Sequence, residues 1–421
     1  MDTTTLASPL TLPCGAVLAN RIAKAAMSEQ LSDRANSPTV RIDRLYERWA
    51  AGGSGLVITG NVMIDRRHVG EPRQVVVEDE RDLPALRRWA AAGRANGTTL
   101  WVQVNHPGRQ AMRIAGSRPV APSAIAPRIP GAVTPQALTG AQIEEIVGRF
   151  ARTAAVFREA GFDGVQLHGA HGYLISQFLS PLANRRDDEW GGDAARRQRF
   201  VLEVVRATRA AVGPDFPVGI KLNSADFQRG GFSEEESGDV VAALAAAGVD
   251  LIEISGGTYE SPAMMGDATG TASSAAAASA AVPARASTRA REAYFLDYAV
   301  RVRDRAPDVP LMVTGGFRSA AAMREAVASG ACNVIGLGRP LALHPDASAA
   351  LLDGSRARID AGSRSIGVRK LDSVIDLWWH TRQLHRIGRG REPWAGERAL
   401  HTLATFLLVN GWGAARRKRG G

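Results

Sequence analysis

The amino-acid sequence predicts an α/β protein of the (β/α)8 TIM barrel class with a C-terminal helical extension. Eight short apolar, β-branched runs alternate with longer helical stretches, and each run ends in polar or glycine-rich residues. An open doubly wound sheet usually has fewer strands and a G-x-G-x-x-G turn after the first, and no such turn follows Met27.

In order, the runs are RIAKAAM from Arg21, GLVITG from Gly55, LWVQVN from Leu100, GVQLHG from Gly164, VGIKLN from Val218, LIEISG from Leu251, LMVTGG from Leu311 and NVIGLG from Asn333. Helix candidates lie between them. One is AQIEEIVGRFARTAAVFREAG, in which Ile143, Ile146, Val147, Phe150 and Ala154 recur at three- and four-residue spacing and Gly161 stands where a C-cap belongs. Residues 1–345 form the expected barrel and 346–421 the extension. Trp378, Trp379 and Trp394 give the extension apolar faces, suited either to packing on the barrel or to a subunit contact. The Ala- and Ser-rich segment 266–286 follows strand six and reads as a low-complexity loop, either a lid or an inert insertion.

Composition narrows the function class. The net charge is +10, yet the arginines are scattered rather than gathered into the single stripe that nucleic-acid binders use. The one dense run, Arg416, Arg417, Lys418 and Arg419, reads as a solvated tail. Cys14 and Cys332 are far apart and lack C-x-x-C spacing, which argues against a disulfide framework and against a zinc or iron–sulfur site. No metal is expected. No run approaches the roughly 18 apolar residues of a spanning helix, LATFLLVNGW is too short to span, and MDTTTLASPL lacks the features of a secretory signal. The expectation is a cytoplasmic protein acting on a small molecule, without nucleic-acid or membrane partners, with homo-oligomerisation left open.

In a barrel the chemistry sits where strands run into their following loops. Strand four ends in His168-Gly-Ala-His171-Gly-Tyr173. Neutral imidazoles and a phenol donate hydrogen bonds to a carbonyl oxygen or an anion, and the phenol also passes on a proton. Two other readings stay open: satisfied core imidazoles, or an H-x-x-H metal pair drawing a third ligand from Asp187, Asp188 or Glu189. Strand seven ends in Gly315 and Gly316, and strand eight in Gly338 and Arg339. Glycines there let backbone N–H groups reach phosphate oxygens, and Arg339 adds a charge-assisted partner. Lys221 on strand five would also serve a phosphate-binding lyase or isomerase as a Schiff-base amine. A non-catalytic barrel acting as a binding module is the remaining alternative.

The segment GFDGVQLHGAHGYLISQFLSPLANRRDDEWGG resembles the old yellow enzyme family, and NRIAKAAM, WVQVNHPGRQ, GIKLNSADF, VTGGF and IGLGRPLALHP match it in the same order across Leu12–Asp346. The elements SEQ, TGNVM and SGGTYE are similar to its NADH:flavin oxidoreductase branch. The resemblance implies bound FMN, with NADH or NADPH as hydride donor. It implies that the backbone of Ala25, Ala26 and Met27 approaches the flavin ring, with Gly60 beside its polar edge. Gln103 would hydrogen-bond the pyrimidine part, and Lys221 would stand at the N1/O2 edge. It further implies that His168 and His171 hold the carbonyl or nitro oxygen of an acceptor while Tyr173 protonates its α-carbon, as in an ene reductase. The chain departs from the family at Arg196, where an asparagine is usual, and at Ser28, where some relatives carry a redox-tuning cysteine. Without a cysteine-rich run, the iron–sulfur branch is not expected.

Overall fold

The computed structural model describes residues 4–112, 118–129, 131–257 and 284–417. Eight parallel strands form the barrel: β1 (Ile22–Lys24), β2 (Leu56–Met63), β3 (Thr99–Asn105), β4 (Gly164–Gly169), β5 (Val218–Asn223), β6 (Leu251–Ser255), β7 (Leu311–Thr314) and β8 (Val334–Leu337). Each pairs in parallel with the next, and β8 returns to β1 through Ile335 opposite Ile22, which closes the sheet. Closure removes every strand edge and buries both faces, so the strands read as apolar runs rather than as alternating ones.

The first two strands differ most from the sequence expectation. β1 stops at Lys24, and Ala25 continues only as an extended residue whose N–H donates to the Leu337 carbonyl at 2.9 Å. β2 runs on to Met63 because its register against β3 shifts between Ile58 and Asn61, an irregularity that redirects the residues at its end. The loop expected at 266–286 lies outside the described residues as far as Pro283, and its last three residues open a helix.

The helices are α1 (Val40–Ala50), α2 (Leu83–Gly93), α3 (Gly140–Glu159), α4 (Leu174–Leu179), α5 (Ala194–Val212), α6 (Glu234–Ala246), α7 (Ala284–Arg303), α8 (Ala320–Ala328), α9 (Pro340–Leu343), α10 (Ala347–Leu352), α11 (Arg369–Gly388) and α12 (Ala399–Arg417). Capping boxes start α3 at Thr139/Gln142 and α6 at Ser233/Glu236, satisfying N–H groups that the helix itself leaves unpaired. Gly161 lies just past α3 with a φ of +90°, as the expected C-cap requires.

The base of the barrel is closed from below. An antiparallel hairpin, Leu10–Thr11 with Val17–Leu18, brings Leu10, Leu12 and Leu18 against Leu56, Ile58, Trp101, Leu251 and Met312. Trp101 is fully buried across the interior, and Gly164 and Gly219 flank it. A Cβ on Gly219 would come 2.6 Å from the indole, so the large residue of one strand depends on small ones from two others.

Beyond the barrel, α11 lies along the strand-end side. The ring of His385 bonds the Glu29 carbonyl at 2.9 Å, Gly388 sits against the Arg41 backbone, and Asp376 pairs with Arg339 at 3.0 Å. The Trp378 indole reaches Thr405 of α12 at 3.4 Å. Among the described residues, no helix is long and apolar enough to cross a membrane.

Overpacking a filled interior costs about 1–3 kcal/mol. Gly219→Ala should therefore lower the unfolding free energy from urea titration by that amount and move the midpoint down accordingly, and adding Trp101→Phe should restore part of the loss. Equal midpoints for the wild type and Gly219→Ala would contradict this packing.

Candidate active site

Alternate residues of a barrel strand face the interior, and above the Trp101 layer this chain places polar ones. Gln103 on β3 donates through Nε2 to Gln166 Oε1 on β4 at 2.7 Å. Gln166 donates in turn to Glu253 Oε2 on β6 at 2.7 Å. The other carboxylate oxygen of Glu253 lies 2.8 Å from Lys221 Nζ on β5. Gln166 and Glu253 were not singled out from the sequence. Their signal was available, since each is a long polar side chain two residues before a strand-end residue, in an otherwise apolar run.

One layer higher, β4 delivers the expected histidines. His168 Nδ1 lies 2.7 Å from Asn61 Oδ1, His168 Nε2 lies 3.2 Å from His171 Nδ1, and His171 Nε2 lies 2.8 Å from Ser255 Oγ. These four groups come from β2, β4, the loop after β4, and β6. With Asn61 Oδ1 accepting, His168 donates from Nδ1, His171 donates from Nδ1 to His168 Nε2, and the Ser255 hydroxyl donates to His171 Nε2. A 180° turn of the Asn61 amide presents its NH2 instead and moves the His168 proton to Nε2. Burial holds both imidazoles well below the usual histidine pKa, with repulsion from the neighbouring ring and from Lys221 adding for His168 and from Lys221 for His171. Both rings are therefore neutral at pH 7.

The loop that carries them is held in an uncommon shape. His171 has a φ of +62°, a left-handed conformation that non-glycine residues seldom adopt, and its N–H is fixed by Asn223 Oδ1 at 3.1 Å. Gly172 follows at φ +75°, after which Tyr173 turns the chain into α4. The buried Tyr173 ring lies 4.7 Å from the His168 ring, centroid to centroid.

The residues expected to face a flavin fall into three groups. Lys221 and Gln103 point into the barrel from β5 and β3, as described. The Gly60 N–H donates to Glu29 Oε1 at 2.7 Å, and a Cβ there would collide with the Met27 carbonyl and the Glu29 carboxylate, so only glycine fits between them. Ala25, Ala26 and Met27 run alongside, with Met27 near Gly338. At the ends of β7 and β8 the backbone is bare: Gly315 and Gly316 have φ of +125° and +86°. A Cβ at Gly315 would meet nothing nearer than Phe295 at 3.9 Å, and one at Gly338 nothing nearer than Met27 at 3.9 Å. This open cradle of glycine backbone beside a buried ammonium and amide suits a phosphate-bearing planar cofactor such as FMN. Arg339 differs from expectation in being partly engaged, since its guanidinium pairs with Asp376 of α11.

Metal ligation finds little support here. Asp187, Asp188 and Glu189 are exposed, and the latter two pair with Arg186 and Arg199. A separate group, Asp65, His68 and His106, has ligand atoms within 4.8 Å of one another after β2 and β3. Its carboxylate, however, is held by Arg67 at 2.7 Å with Arg149 at 3.5 Å, and two guanidinium charges oppose a third cation. At position 28, the Ser28 hydroxyl donates to Glu71.

Comparison with known proteins agrees with this fold. The family model described as "NADH:flavin oxidoreductase / NADH oxidase family" matches residues 5–354. A relative from Hypocrea jecorina, the NADH-dependent flavin oxidoreductase iliE, is 41% identical over 360 residues, covering 80% of this chain and 86% of the relative. Among solved structures, a 2-naphthoyl-CoA reductase superposes with a TM-score of 0.75 at 26% identity, covering 84% of this chain and 52% of that one. The old yellow enzyme homologue from Zymomonas mobilis superposes with a TM-score of 0.69 at 21% identity, covering 85% and 94%, and shares the fold.

Buried imidazoles make a pH signature. Burial lowers the pKa of His106, His168 and His171 well below 6.5, and that of His385 to about 4. Below pH 6.5 the unfolded chain takes up protons that the folded chain refuses, so their contribution to stability is present above 6.5 and fades as pH falls. Urea midpoints measured from pH 7.5 to 5.5 should fall, and they should fall less steeply in the His168→Gln/His171→Gln variant. Parallel curves would show that these rings do not titrate on unfolding.

Proposed function

The chain belongs to the NADH:flavin oxidoreductase / NADH oxidase family, whose members use FMN and NADH, and on that premise we propose that its acceptor is an α,β-unsaturated carbonyl compound. The observation that carries this reading is the neutral His168–His171 pair with the Tyr173 ring 4.7 Å away, all at the end of β4. The family placement removes the lyase and binding-module alternatives. The ion pair with Glu253 also leaves Lys221 poorly suited to act as a free amine.

FMN, when bound, supplies a hydride taken from NADH to an electron-poor carbon. Lys221, Gln103 and the backbone of Ala25–Met27 would hold its ring, with Gly60 permitting close approach. Gly315, Gly316, Gly338 and Arg339 would hold its phosphate, the guanidinium steadied by Asp376. Glu253 anchors the Lys221 ammonium in the interior, so the charge stays directed at one place.

The acceptor's carbonyl oxygen enters where the two imidazoles now touch. There it needs two donors, His168 Nε2–H and His171 Nδ1–H. The Ser255 hydroxyl supports the second by donating to His171 Nε2, and the turned Asn61 amide supports the first by donating to His168 Nδ1. As hydride reaches the β-carbon, the π electrons shift toward this oxygen, and both N–H groups stabilise the growing negative charge. Tyr173 then gives its hydroxyl proton to the α-carbon, and solvent restores it. Neutral imidazoles suit this role because burial prevents a charged ring from holding the oxygen too tightly before reaction.

Removing the proton donor should affect only the second half-reaction. In stopped-flow measurements, Tyr173→Phe should slow reoxidation by 2-cyclohexenone by roughly 10²–10⁴-fold while flavin reduction by NADH keeps its rate. An equal loss in both would count against Tyr173 as the acid. The Asn61 role has its own test in phenol binding, followed by the long-wavelength band it gives with the oxidised flavin. Asn61→Asp keeps the His168 proton on Nδ1 and should weaken phenol at least tenfold, whereas unchanged affinity would remove Asn61 from the mechanism.

A further inference from the structure

Near its end, strand β2 carries one residue more than its neighbour β3. Ile58 stands opposite Trp101 and Asn61 opposite Gln103, so Thr59 and Gly60 share the place across from Val102. This bulge decides which way Asn61 faces. Side chains alternate along a strand, and Ile58 packs inside the barrel beside Trp101. In a regular strand the third residue after Ile58 would point outward. With the bulge, Asn61 falls on the inner face next to Gln103 and meets His168 Nδ1 at 2.7 Å.

A bulge leaves backbone groups outside the ladder, and here buried side chains take them up. Lys24 Nζ, from β1, donates to the Ile58 carbonyl at 2.6 Å. The Gly60 N–H donates to Glu29 Oε1 at 2.7 Å and reaches the Tyr46 hydroxyl oxygen at 3.1 Å. Thr59 Oγ1 accepts from the Gln103 N–H at 2.9 Å and donates to the Gly60 carbonyl at 2.9 Å, which ties the bulge to β3.

Two opposite charges therefore bracket Thr59. Lys24 is fully buried, with the Trp49 ring centre 4.2 Å from its Nζ and that of Tyr46 at 5.4 Å. Burial pushes its pKa down to about 8, with the attraction of Glu29 and Glu253 opposing that fall, so the ammonium form dominates at pH 7. On the other side, the Tyr46 hydroxyl donates to Glu29 Oε1, and the His385 ring fixes the Glu29 carbonyl at 2.9 Å. Barrel stability does not require such a pair, because apolar residues of similar volume serve a core as well or better. What the pair adds is direction: one backbone acceptor and one backbone donor are each tied to a charge.

We propose that Lys24, Glu29 and Thr59 are positioning residues that hold the β2 bulge in the shape that delivers Asn61 to His168. Their effect on catalysis passes through Asn61 and so rests on the acceptor reading above, whereas their hold on the Asn61–His168 bond does not.

That bond can be followed through the His168 Nδ1 signal in NMR spectra of the full chain with its flavin and ¹⁵N-labelled histidine, the signal being assigned by its loss in His168→Gln. Lys24→Met and Thr59→Val should each move it in the direction that Asn61→Ala does. Thr59→Ser, which keeps the hydroxyl, should leave it in place. A signal unmoved in either folded variant, or moved equally by Thr59→Ser and Thr59→Val, would overturn the proposal. Should Lys24→Met fail to fold, as judged by lost flavin absorbance, the two Thr59 variants decide.

Phenol affinity supplies the functional arm. Lys24→Met should weaken phenol about tenfold and should add nothing to Asn61→Ala, because the bulge then has no side chain to deliver. Losses that multiply in the double variant, or a loss in Asn61→Ala with none in Lys24→Met, would also overturn the proposal. If Asn61→Ala moves the His168 signal but leaves phenol affinity unchanged, the acceptor reading fails instead, and the hold of the bulge on the bond stands.

Discussion

Everything at the strand ends depends on one buried polar chain, Gln103–Gln166–Glu253–Lys221. A closed parallel barrel drives alternate side chains of all its strands into one narrow interior, and a charge placed there without partners would be very costly. Here each member answers the next across four strands, so the charge on Lys221 is compensated by Glu253 and its position is set by the barrel rather than by a loop. A site built on strands in this way is more rigid than one built on connecting segments. Above it, the imidazole pair inherits that rigidity through β4, where His168 is two residues beyond Gln166 on the same face.

The second constraint is the local backbone after β4. His171 takes a left-handed conformation that few histidines adopt, and the Asn223 side chain from β5 holds it there. That turn puts the His171 ring edge-on to His168 and sends Tyr173 back beside it. The strain is local, and the donors that offset it come from neighbouring strands. The C-terminal extension is tied to the same end of the molecule, since Asp376 engages Arg339 and His385 engages Glu29, whose carboxylate meets the Gly60 backbone.

Much of this was legible in order along the chain. The eight runs correspond to the eight strands because a strand buried on both faces must be apolar throughout, and polar residues ending such a run are costly without a use. His168, His171, Tyr173 and the glycines after β7 and β8 follow from that rule. Asn61, Ser255, Gln166 and Glu253 did not stand out, because a single Asn or Ser is ordinary in sequence and gains meaning only from what faces it. Arg339 shows the same limit: its position at a strand end was readable, but its pairing with Asp376, 37 residues away, was not. Neither was the shortening of β1, which follows from where β8 stops offering partners.

What the sequence determined by itself was the alternation of strand and helix, the residues at each strand's end and the family to which the chain belongs. These depend on local periodicity and on motifs read along one stretch of chain. The tertiary structure decided which polar groups meet. Hydrogen-bond partners such as Asn61 and His168, 107 residues apart, are set by barrel closure and register. The neutrality of the two imidazoles is likewise a product of burial, because an imidazole's charge depends on the solvent it loses and the charges it gains, and neither is written in its neighbours along the chain.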